Sequence, residues 1–175
     1  MKIVDESEQM IDPSPAAAVF SVDDDLATLW VKAYQGEVSG EALFGRMAVL
    51  SEDPEHGRKW EVLRLLEART RAACVPAMER NGLPTAADPE VVSEAEGRAE
   101  MGASLDWKDL MAFFEPVTTE FLALYRRIGE ISEADRSESE ILVAHEEALR
   151  EFARREMAGR SDDSLALIEA LSYMG

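Results

Sequence analysis

The sequence predicts an all-α fold: an up-down four-helix bundle with a long crossover between the second and third helices and a short C-terminal helix. Three observations carry that expectation. Apolar residues recur at helical spacing in four long segments, and no segment alternates apolar with polar residues as a half-buried strand would. The connections between those segments run short, long, short, which fits two antiparallel hairpins joined end to end.

Residues 1 to about 20 mix acids, two prolines and an alanine run without a period, and read as a flexible N-terminal tail. One helical domain is expected over 21–175. Ser21 or Asp23 offers the first N-cap. The first helix runs to about Leu50 with Leu26, Trp30, Ala33, Glu37, Glu41, Phe44 and Met47 on one face. Gly36, Gly40 and Gly45 each cost about 1 kcal/mol relative to alanine inside a helix. They either allow close packing or break the helix near Ser39, and a break would take Glu37 off the face and leave Glu41 on it.

The acidic connection SEDPEHG places His56 in solvent. The second helix, from about Arg58 to Arg80, presents Leu63, Leu66, Thr70, Ala73, Cys74 and Ala77, with Glu67 on the shoulder and Pro76 kinking the last turns. The long connection that follows contains a helix start, with Asp88 as cap and Pro89 in the first turn of a helix of about ten residues. A third long helix is expected from about Leu105 to Ile131 through Trp107, Leu110, Phe114, Val117, Thr118, Phe121, Tyr125 and Ile128, with Glu120 on its shoulder. Pro116 predicts a kink or break at Glu115. The fourth spans Ser137 to Arg155 and ends by Gly159, carrying Ile141, His145, Ala148, Leu149 and Phe152 on its apolar face. Ser161 is the expected cap of a final amphipathic helix through Leu165, Ile168 and Leu171, and the stretch to Met174 is a candidate homodimer surface.

A chain of 175 residues with 46% hydrophobic content suits one domain. A formal charge of -18 argues against nucleic acid and anionic membranes as partners, because phosphates would be repelled over much of the surface. The single cysteine, Cys74, cannot form an internal disulfide, which suits a reducing cytoplasm. No basic leader or run of 18 apolar residues signals export or insertion. Phosphate-binding glycine loops, Cys-x-x-Cys pairs and His-Glu-x-x-His helices are absent from the sequence.

The chemistry lies in polar residues at similar depth on the apolar faces: Glu37 and Glu41, Glu67, Glu120 and His145. Buried carboxylates need a cation or shared protons to be tolerable. Without a cation, Glu41 and Glu67 are expected to approach each other, raise at least one pKa and share a proton, so that glutamine at both positions is tolerated.

On these residues the chain resembles the ferritin-like di-iron carboxylate proteins, the group of rubrerythrins and bacterioferritins, over roughly residues 22–158. In that group the first and third helices each give a glutamate, and the second and fourth each give a Glu-x-x-His pair. Glu41 in GEALF, Glu67 in LEART, Glu120 in TTEFL and His145 in AHEEAL match those positions. Thr70 stands where the second-helix histidine would be and Leu142 where the fourth-helix glutamate would be, so an intact di-iron centre cannot be assembled. The resemblance implies a degenerate or altered metal site for iron or manganese, with ligands from Glu41, Glu67, Glu120 and His145 and with Glu37 and Glu138 in reserve. Two other readings remain open. One is a metal-free bundle that binds a partner or a small molecule. The other is a helical enzyme similar to the haem oxygenase or thiaminase type, its pocket lined by Trp30, Phe44, Phe114, Phe121 and Tyr125.

Overall fold

A computed structural model describes residues 19–174. The expected N-terminal tail lies outside the described residues as far as residue 18. Every regular element among the described residues is helical: α1 (Leu26–Leu50), α2 (Pro54–Arg80), α3 (Pro89–Gly102), α4 (Trp107–Ala112), α5 (Phe114–Ile131), α6 (Arg136–Met157) and α7 (Ala166–Glu169), with 3-10 turns at Glu133–Asp135 and Ser161–Asp163.

The side-chain ties between helices give their directions. Lys59 near the start of α2 pairs with Glu156 at the end of α6, while Arg80 at the end of α2 pairs with Asp135 and Glu138 at the start of α6. Those two helices are therefore antiparallel. α5 and α6 are antiparallel as well, since the Ser139 hydroxyl donates to the Tyr125 carbonyl and Arg154 donates to Glu115. α2 and α5 thus run the same way, as the length of the crossover predicts. Within that crossover α3 packs along α1.

α1 is unbroken over 25 residues, and the glycines mark close approach instead of a break. A Cβ on Gly36 would lie 2.6 Å from the Phe121 ring, and one on Gly40 would collide with the Glu67 carboxylate. The N-cap is Asp25, whose carboxylate accepts from the Thr28 N–H, rather than Ser21 or Asp23. α2 begins earlier than expected, because Asp53 caps it and Pro54 fills the first turn, where a missing N–H costs nothing. His56 is consequently in a helix and not free in solvent: its ring stacks on Trp107 with centroids 3.7 Å apart. Pro76 sits on the exposed side of α2, which continues through it to Arg80.

The third expected helix is divided at Phe113, not at Glu115. Pro116 has no N–H to give the Ala112 carbonyl, so the helix ends there and restarts with Pro116 in the first turn of α5. The restart leaves Val117 52% exposed and turns Thr118, Leu122, Tyr125 and Ile128 inward. At the C-terminus, Ser161 opens a 3-10 turn and makes no side-chain cap, and α7 is only four residues long. Leu165 and Ile168 are buried in the chain's own core, so most of the apolar face offered for a dimer is already covered.

Two apolar clusters fill the interior. One, around Phe44, Trp60, Leu63, Met111 and Phe152, lies where α1 ends and α2 begins. The other, around Trp30, Tyr34, Met78, Tyr125 and Leu142, lies at the opposite end. The polar residues of the next section sit between them.

Candidate metal site

α1, α2 and α6 each bring one polar side chain to the seam between the two clusters: Glu37, Glu67 and His145, exposed by 1%, 4% and 1%. Because α1 does not break, Glu37 keeps helical register with Trp30, Ala33 and Phe44 and stays in the core. Gly40, one turn further on, leaves room for the Glu67 side chain to reach across from α2. The three residues each offer one ligand atom, all within 4.8 Å of one another.

The imidazole faces a carboxylate on both sides. Its Nε2 lies 3.2 Å from Glu67 Oε1 in hydrogen-bonding geometry, and its Nδ1 lies 3.3 Å from Glu37 Oε2. The second contact is misaligned, and neither Nδ1 nor Glu37 Oε2 has a hydrogen-bond partner among the described residues. The other oxygen of Glu37 accepts from the Tyr125 hydroxyl at 2.8 Å. A fourth polar side chain, Glu146, is 4% exposed with Oε2 4.0 Å from His145 Nε2.

The electrostatics follow from burial without a fixed cation. Burial, reinforced by the neighbouring Glu37, pushes the Glu67 carboxyl up to about 8 against the opposing pull of His145. Burial alone would depress the imidazole, but the Glu37 and Glu67 carboxylates outweigh it and hold His145 well above its ordinary value. Burial likewise pushes Glu146 well above the usual carboxylate range, against the pull of His145. The carboxyl that retains a proton near neutrality therefore stands opposite Glu37, not Glu41 as the sequence suggested. Glu41 lies at the side of α1, paired with Arg71 at 2.9 Å and facing Arg64 at 3.8 Å.

Of the residues expected to ligate, Glu67 and His145 meet, and Glu37, held in reserve, joins them. Glu120 turns away and accepts the Val19 N–H at 3.3 Å. Glu138 pairs with Arg80 at 2.9 Å. Thr70 is buried with its hydroxyl donated to the Leu66 carbonyl, and Leu142 is fully buried. Glu146 falls outside the stripe that the sequence places through Ile141, His145, Ala148, Leu149 and Phe152, whose edge residue Ile141 is only half-buried. The stripe is centred on Leu142, and the row Leu142, Glu146, Leu149, Ala153 carries Glu146 inward. Of the aromatic residues expected to line a pocket, Phe44 stacks with Trp60 and Phe114, Phe121 lies against Tyr125, and the Trp30 indole donates to Asp135.

Comparison with known proteins gives no match to a family model, to a characterised protein or to a solved structure. No helix among the described residues is long and apolar enough to cross a membrane.

Proposed function

We propose that the chain is a ferritin-like helical bundle whose core holds a single iron or manganese ion at Glu37, Glu67 and His145. The observation that carries the reading is the pair of fully buried ligand atoms, Glu37 Oε2 and His145 Nδ1, that face each other at 3.3 Å without hydrogen-bond partners. Two donors bound to one ion at about 2.1 Å stand about 3.0 to 3.4 Å apart, depending on octahedral or tetrahedral geometry. The contact is misaligned for a hydrogen bond, and its length suits one coordination edge. Carboxylate oxygens with one imidazole are the donor set that iron and manganese accept.

The residues present fit one ion and not two. Thr70 and Leu142 occupy two of the positions from which a di-iron centre draws ligands, and Glu120 faces elsewhere. Bound there, the ion would supply Lewis-acid or one-electron chemistry. The chain's own contribution is to orient Glu37 through the Tyr125 hydroxyl and to exclude water with the flanking apolar clusters.

The test compares wild type with His145→Ala after incubation with ferrous iron or manganese under argon, reading bound metal and melting temperature. The reading expects metal and a raised melting temperature in wild type alone. Equal metal content and no metal-dependent rise in either protein would leave the second reading, a metal-free core. That reading is favoured by the imidazole held between two carboxyls as a self-contained proton network, with function on the surface.

A further inference from the structure

Glu37, Glu67 and His145 are each exposed by at most 4%, so an ion reaches them only when some part of the bundle opens. Three of the surrounding seams are closed by helices in direct contact. A Cβ on Gly40 of α1 would strike Glu67 of α2, one on Gly36 would strike Phe121 of α5, and one on Gly129 of α5 would strike Ser139 of α6. The seam between α2 and α6 is built differently: α6 has no glycine, and the glycine of α2, Gly57, faces the end of α1. Ion pairs tie these two helices at their ends, Lys59 with Glu156 and Arg80 with Asp135 and Glu138.

Between those ties the segment that follows α7 crosses the seam. α7 packs on α6, whereas Arg69 of α2 donates to the Tyr173 carbonyl at 3.1 Å and the Tyr173 hydroxyl lies 3.4 Å from that of Thr70, one turn beyond Glu67. Burial pushes the phenol above its ordinary value, and the charges of His145, Glu37 and Glu67 all act on it, as they do on a group close to the site. The anchorage of the segment is uneven. Leu165 and Ile168 are buried, but Leu171, Tyr173 and Met174 are only half-buried and belong to no helix, and the Thr70 contact is long for a hydrogen bond. A segment held by so little opens at lower free energy than the helices beneath it.

Resting on the single-ion reading above, we propose that residues 171–174 form a strap, hinged at the buried Ile168, that gates the ion's path through the α2–α6 seam. Lifting Tyr173 from Thr70 uncovers the seam beside Glu67 and His145, and laying it down seals the ion in. The strap supplies no ligand. It therefore sets how fast the ion enters and leaves, while Glu37, Glu67 and His145 set how tightly it is held.

Tyr173→Ala removes the ring that covers Thr70. The probe is manganese(II) under argon: uptake by metal-free protein is followed by freeze-quench paramagnetic resonance of the free ion, release by transfer to excess EDTA, and affinity by titration. The expected outcome is that uptake and release both accelerate by about tenfold or more, with affinity within about threefold of wild type. Arg69→Met, which removes the tie to the Tyr173 carbonyl from a half-buried position, should raise both rates by less, and it carries the test if Tyr173→Ala does not fold. Unchanged rates, or faster release without faster uptake as a merely weakened bundle would give, overturn the gate and leave the single-ion reading standing. Failure of wild type to bind manganese or ferrous iron overturns both.

Discussion

Glu67 and His145 set a pH dependence whose sign follows from their shifts. The folded-state value of Glu67, about 8, lies above its ordinary 4.5, and that of His145 lies well above 6.5. The folded chain therefore keeps protons that the unfolded chain releases as pH rises past those ordinary values. The stability contributed is complete below them and is lost as pH climbs through the folded-state values. In metal-free protein the melting temperature should fall between pH 6.5 and about 8, and Glu67→Gln, which cannot ionise, should flatten that fall. A flat wild-type profile across the same range would contradict the assignment. Metal binding displaces these protons, so the ion should be held more tightly as pH rises. At this scale the sequence was informative about residue type and depth. It does not choose between Glu37 and Glu41, because they are one turn apart on the same face: an unbroken α1 keeps Glu37 inward, and the rotation of α1 against α2, with Arg71 paired to Glu41, turns Glu41 to the side.

Continuity of α1 depends on its glycines. Helix propensity counts them as a weakness, whereas packing makes Gly40 the point at which α2 delivers Glu67 to the core. Gly40→Ala would improve the isolated helix and place a methyl group where the Glu67 carboxylate lies. The expected net effect is destabilisation by about 1–3 kcal/mol, as for overpacking, with loss of metal binding if the site holds a metal. Chemical denaturation and metal analysis of the variant check both parts, and a neutral or stabilising substitution would show that Glu67 can be relocated without consequence. The division of the third long helix teaches the same lesson with the opposite sign. Pro116 announced a discontinuity, but the position of the break at Phe113 was set by which carbonyl lost its donor, and that shifted Val117 into solvent. Short C-terminal elements were the least legible. Ser161, chosen as a cap, is instead held by Lys59 and Glu55.

Across the whole molecule, a buried or partly buried ion-pair group stands at each end and the candidate site lies between them. At one end Lys59, fully buried, pairs with Glu156 at 2.5 Å, and Trp107 donates to the same carboxylate at 2.8 Å. At the other, Asp135 accepts from Arg80, Trp30, Asn81 and Ser132. Lys59→Met should cost about 3–5 kcal/mol by stranding Glu156, and adding Glu156→Leu should recover part of that loss. Urea denaturation of the single and double variants is the measurement; a double variant as unstable as the single one would refute the stranded-charge explanation. Hydrogen bonds outweigh burial and hold Asp135 and Glu156 below their ordinary values of 3.8 and 4.5, so their contribution to stability disappears in acid as pH falls through the lowered values.

The sequence by itself determined that the chain is helical, where its long helices lie to within a few residues, and that the second and third long segments run parallel. These follow from periodicity, caps and loop length, which act over a few neighbouring residues. It also marked Glu67 and His145 as polar groups in apolar stripes. Only the tertiary structure decided that Glu37 and Glu146 join them and that Glu41, Glu120 and Glu138 do not. A rotation of one helix by a fraction of a turn exchanges such residues between core and surface. That rotation is fixed by contacts between helices, Gly36 against Phe121, Gly40 against Glu67 and Arg71 against Glu41, which no local pattern encodes.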